Sequence, residues 1–215
     1  LWPVAIYTAF GTLFATITST VYRQRLPEAE SAAYYVLTRF TETICYVGTA
    51  MTFVLVPLSA EAYESGRESS ATLRHTIRAM LVVTAAATAL FAVFGRSILA
   101  SVSVWSEYVS YAYLMPALAA ITGAAAIIGA VITYEMACRR FGATALITGF
   151  NAVWTALLVS FSGFAFFRDI LPDAVVDFVE SLNVNRLSVY TWASLISAIL
   201  QLALLRLLCR RRARA

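Results

Sequence analysis

Tyr34–Glu64 reads YYVLTRFTETICYVGTAMTFVLVPLSAEAYE, and its reading decides the fold. The stretch is apolar enough and long enough to cross a bilayer, which takes about 20 residues of helix. It nevertheless carries Arg39 and Glu42, three residues apart and adjacent on a helix surface. At roughly 100° per residue, Tyr35, Thr38, Arg39, Glu42, Tyr46 and Thr49 share one side, and the other side reads as Val, Leu, Ile, Phe and Ala. A helix in lipid with one polar side must turn that side toward protein or water. These six residues are therefore the first candidates for a functional path.

The rest of the 215-residue chain agrees with a membrane solvent. Mean hydropathy is +0.76 and 60% of residues are hydrophobic, above the roughly 45–50% of soluble domains. The expected architecture is all-α: a single polytopic membrane helix bundle over 1–215 with six transmembrane spans. The first span covers Leu1 to Val21, the second Ala32 to Val56, closed by Pro57, and the third Arg74 to Phe94. The fourth covers Tyr108 to Met136, kinked at Pro116, the fifth Ala143 to Phe167 and the sixth Leu187 to Leu208. Leu58 to Arg78 reads as a polar connection. Residues 168–186 place Val175, Phe178, Val179 and Leu182 opposite Asp173, Asp177 and Glu180, which predicts an amphipathic segment on the extracytoplasmic surface.

Charge sets the orientation. Connections after spans two, four and six carry Arg67, Arg74, Arg78, Arg139, Arg140, Arg206, Arg210, Arg211, Arg212 and Arg214; those after one, three and five carry only Arg23, Arg25, Arg96, Arg168 and Arg186. The positive-inside rule then predicts both termini in the cytoplasm, with 206–215 a basic cytoplasmic tail against anionic lipid. No aromatics interleave those arginines, so the tail reads as lipid contact and not as a nucleic-acid site. Cys45, Cys138 and Cys209 lie too far apart in sequence for metal spacing, and neither metal nor cofactor is expected.

In the first span Thr8, Thr12, Thr16 and Thr20 recur every four residues beside Gly11, Ala15 and Ser19. Small and hydroxyl residues at that spacing make a packing seam, or a cavity wall to which Thr12 and Thr16 contribute. Ala125 with Gly129, and Ala126 with Ala130, repeat the small-residue spacing in the fourth span. An enzyme reading finds little: His75 is the only histidine, and Asp169, Asp173 and Asp177 lack a second acidic motif.

The order of these features resembles one six-helix half of the multidrug/oligosaccharidyl-lipid/polysaccharide flippase superfamily, closest to its polysaccharide and O-antigen exporter branch. LPEAESAAYYVLTRF (Leu26 to Phe40) resembles that family's entry into the second helix of a half, FVLVPLSAEAYESGR (Phe53 to Arg67) its exit, FGRSILASV (Phe94 to Val102) the end of the third, and RRFG the turn after the fourth. The acidic 168–186 departs from the short Gly- and Ala-rich turn usual there. The resemblance implies the C-terminal half of a longer transporter, working with an N-terminal half in the cell inner membrane. It further implies a lipid-linked oligosaccharide or polysaccharide precursor as substrate, moved by alternating access. Arg39 takes the family's cationic position in this helix, where an Arg fork suits phosphate oxygens. Glu42 does not carry over; it neutralises Arg39 or exchanges a proton or ion. Snorkelling of Arg39 to the interface is the plain counter-reading. Arg23 and Arg25 would attract anionic head groups at the outer mouth, or simply end the first span. A cation- or proton-coupled multidrug exporter half, and a non-transporting scaffold or partner subunit, are the alternatives.

Overall fold

The computed structural model of the chain describes residues 9–10, 13–14, 16–21, 26–65, 70–162 and 187–212. Among them every regular element is helical: α1 (Glu28–Glu64), α2 (Ser70–Ala100), a 3-10 helix (Ser103–Leu114), α3 (Met115–Ala137), α4 (Gly142–Ser162) and α5 (Leu187–Arg212). Residues 16–21 are helical as well.

Among the described residues four helices are long and apolar enough to cross a membrane: Glu28–Glu64, Ala71–Ala100, Ser103–Ala137 and Leu187–Leu208. The expected count of six spans is thus met only in part. The stretch 142–162 is helical but is not among the four. The surface segment 168–186 lies outside the described residues, as do Thr8, Thr12, Arg23 and Arg25.

Two boundaries differ from expectation for local reasons. Pro57 does not end α1, which runs on to Glu64 as a 37-residue helix. Proline removes one backbone hydrogen bond and crowds the preceding turn, but LSAEAYE after it is rich in Leu, Ala and Glu, which favour helix. The polar connection expected over 58–78 therefore shrinks, because α2 already starts at Ser70. Likewise α2 continues past Phe94 to Ala100. Pro116 sits in the first turn of α3, directly after the change from 3-10 to α winding, where its missing N–H costs little.

The 12 residues ahead of α3 wind as a 3-10 helix. Such runs rarely exceed 3–4 residues because side chains three apart eclipse one another. Here the sequence uses that period: Trp105, Tyr108, Tyr111 and Leu114 fall in one row and face inward, while Ser103, Ser106, Glu107 and Ser110 are exposed. Trp105 meets Phe40 of α1 edge to face at 4.9 Å between centroids, an arrangement favoured by ring quadrupoles.

The span built of this 3-10 helix and α3 is the centre of the bundle. Of its most apolar window, 61% is buried, against 11% to 22% for the other three spans. Helices α1 and α2 pack on it most extensively, then α5. At one end Leu26, Ala33, Leu37, Leu99, Leu114 and Met115 form a common core with Leu187 and Tyr190 of α5. At the other end Leu55, Met80, Ile127 and Tyr134 pack together, and Ile132, Ala143, Ile147 and Leu205 form a neighbouring cluster.

The α1–α3 seam depends on a missing side chain. A Cβ at Gly48 would sit 2.7 Å from the Cβ of Ala126, so only glycine allows this backbone approach. Of the small-residue pairs in the fourth span, Ala126 and Ala130 lie in packed positions, whereas Ala125 is exposed and Gly129 faces open space. Thr41 and Thr122 bring their hydroxyls to 3.3 Å across the seam, and Cys45 Sγ lies 4.0 Å from the Thr122 carbonyl.

Two further contacts fix the helix ends. Arg140 N–H donates to the Glu135 carbonyl and Arg139 N–H to that of Met136, with Arg139 at φ 53°; this is a left-handed helix stop with arginine where glycine is usual. Glu30, only 5% exposed, accepts a 2.6 Å hydrogen bond from the Leu187 backbone N–H. Its carboxylate thereby serves one of the orphan donors at the start of α5 and complements that end of the helix dipole.

Candidate functional site

The charged side of α1 follows from helical register alone. Leu37, Thr41, Ile44, Gly48, Leu55 and Ser59 are buried, which turns Tyr35, Arg39, Glu42 and Tyr46 outward. Thr41 and Gly48 were not expected on the packed side, which the sequence suggested was wholly aliphatic and aromatic.

Arg39 is the hub of the outward face. Its Nη1 donates to Glu42 Oε2 at 2.9 Å and its Nη2 to the Tyr35 hydroxyl at 3.1 Å. The guanidinium carbon also lies 4.7 Å from the Tyr35 ring centroid, within cation–π range. The two charged side chains remain 57% and 41% exposed. In water such a pair contributes about 0–1 kcal/mol, and its order along the helix, base before acid, is the less favourable one. Two of Arg39's donors are engaged, and the exposed remainder of the fork stays open to an incoming acceptor.

The other candidates behave differently. Thr38 directs its hydroxyl back to the Tyr34 and Tyr35 carbonyls, at 2.8 Å and 3.0 Å, so its proton serves the helix. Tyr46 is 69% exposed, and Thr49 is exposed one turn further along. Thr16 is exposed on the helical residues 16–21. The structure therefore brings Tyr35, Arg39 and Glu42 into contact, sets Thr38, Tyr46 and Thr49 along the same outer face, and does not gather the six around an enclosed space.

Two hollows of the described residues lie elsewhere. One is a shallow hollow of about 10 Å³ beside Gly48, lined by Ile44, Met80 and Ala126, too small and apolar for more than a single water. The second is open and measures about 460 Å³, between Glu28, Ala29 and Ala32 of α1 and Glu107, Tyr108 and Tyr111 of the 3-10 helix. Sequence reading missed this hollow. Its signal was the three-residue spacing Trp105, Tyr108, Tyr111, Leu114, which a search for helical or strand periods passes over. Among the described residues, no group of three or more His, Cys, Asp or Glu is placed to hold a metal ion.

Family models, curated proteins and solved structures were all compared with the chain, and none of them matches it.

Proposed function

We propose that the chain is half of a membrane transporter, and that the Tyr35–Arg39–Glu42 face of α1 borders the substrate path. The observation that carries this reading is an ion pair inside a membrane-length helix whose charged groups are 57% and 41% exposed on the outside of their own bundle. If α1 is centred on the bilayer, Glu42 lies about 6 Å from the midplane and Arg39 about 10 Å. Ionisable residues at such depth face protein or water-filled cavities, seldom hydrocarbon. The described bundle leaves this face uncovered, so a second bundle facing it across water is the arrangement that accommodates both charges. Transporters made of two helical repeats place their substrate at such an interface, near the midplane.

The substrate class in this proposal is a lipid-linked oligosaccharide or polysaccharide precursor. Arg39 has unused donors for phosphate oxygens, and Glu42 is placed to hold the guanidinium while no substrate is bound. The supporting points are the charged face itself and the resemblance of Leu26 to Phe40 and Phe53 to Arg67 to the flippase pattern.

The test uses the whole transporter in proteoliposomes with a fluorescent lipid-linked oligosaccharide. Arg39→Ala and Glu42→Gln are each expected to stop translocation while insertion and thermal stability are kept. Unchanged translocation in both variants refutes the assignment of these residues. A scaffold role would instead give no translocation from the unaltered protein and a partner that co-purifies through the same face.

A further inference from the structure

The open hollow at the Glu28 end of the bundle has a chemistry that the α1 charged face does not share. Ala29 and Ala32 line it, two small residues that leave room. Tyr108 and Tyr111 stand beside them, each half-buried, three residues apart and therefore eclipsed in the 3-10 helix. Glu28 and Glu107 close the rim, one from each element, and both are exposed. No ion pair or hydrogen bond joins either carboxylate to another described residue.

The geometry points to a binding site for an organic ammonium group. Two exposed carboxylates on a cleft, neither paired with a described cation, attract positive charge, and tyrosine rings offer the negative π-face that ammonium and trimethylammonium groups prefer. A volume of about 460 Å³ is within the range of small-ligand pockets, roughly 300–1,000 Å³. Among the described residues lining the hollow there is no cation to hold an anion. A purely apolar ligand would leave both carboxylates facing it without compensation, which disfavours that class.

The position suggests the source. At 37 residues α1 is about 55 Å long, well beyond the ~30 Å hydrocarbon core. Its first turn therefore lies at or beyond head-group level. A zwitterionic lipid with an amine or choline head reaches the hollow from the bilayer, and a soluble ammonium compound reaches it from water. The site is independent of the transport reading, since Arg39 and Glu42 take no part in it.

The test is native mass spectrometry of the full chain in detergent, titrated with phosphatidylethanolamine, phosphatidylcholine and phosphatidylglycerol, and separately with free choline. The expected result is tighter binding of the two ammonium lipids than of phosphatidylglycerol, and about tenfold weaker binding in the E28Q/E107Q double variant. Both glutamates are exposed, so that variant keeps the fold, and an unchanged melting temperature verifies it. Tyr111→Phe, which retains the ring, should keep most of the affinity. Free choline binding as tightly as the choline lipid, and weakened by the same double variant, identifies a soluble cation as the occupant. Equal affinity for all three lipids with no choline binding, or no effect of the double variant, overturns the site.

Discussion

The two faces of α1 use the same helix for opposite purposes. The inner face brings Thr41 and Gly48 against α3 so closely that no side chain fits at position 48. The outer face carries Tyr35, Arg39 and Glu42, engaged with one another and, among the described residues, with no side chain of another helix. Small residues give the first face its stability through backbone approach and dispersion. Charge gives the second face little stability, because a half-exposed pair is screened. A face that contributes so little to the fold, yet carries charge within a membrane span, is better accounted for by what it meets than by what it holds together.

This contrast can be broken by substitution. The largest effect is expected on the inner face: Gly48→Leu forces apart backbones that a Cβ alone would bring to 2.7 Å. Overpacking typically costs about 1–3 kcal/mol, so a fall of roughly 10 °C in melting temperature in detergent is expected, or failure to fold. On the outer face Glu42→Gln should change stability by less than about 1 kcal/mol, read from the same melts. A loss of about 3–5 kcal/mol there would mean the pair is held dry, contrary to a wet path.

Smaller effects sharpen the picture. Thr41→Val removes the hydroxyl contact with Thr122, and interhelical hydrogen bonds in membranes average about 0.6 kcal/mol; a double-mutant cycle with Thr122→Val reads the coupling. Last, Arg139→Gly relieves a left-handed arginine at the end of α3. It should stabilise by about 1 kcal/mol, a gain of a few degrees.

The long helices and the charged face were legible in the sequence because apolar length and register are local properties. Tyr35, Arg39 and Glu42 came together as their spacing required. What was not legible depends on the partner surface or on an unusual period. Gly48 and Thr41 look unremarkable until Ala126 and Thr122 are set against them. Pro57 looks like a stop because proline breaks helices in isolation, whereas the residues after it favour continuation. Tyr108 and Tyr111 stood in plain view, but at a spacing of three, which belongs to a helix type too rare at this length to expect. The contact between Glu30 and Leu187, 157 positions apart, had no local signature at all.

That last contact has a mechanical consequence. Were the chain pulled by its carboxyl end, as in a force-spectroscopy experiment, α5 would be loaded in tension from Arg212 toward a root fastened by a buried carboxylate. The free end would unravel first and the root would hold longest. Replacing Glu30 by alanine would then lower the final rupture force and leave the early part of the trace as it was.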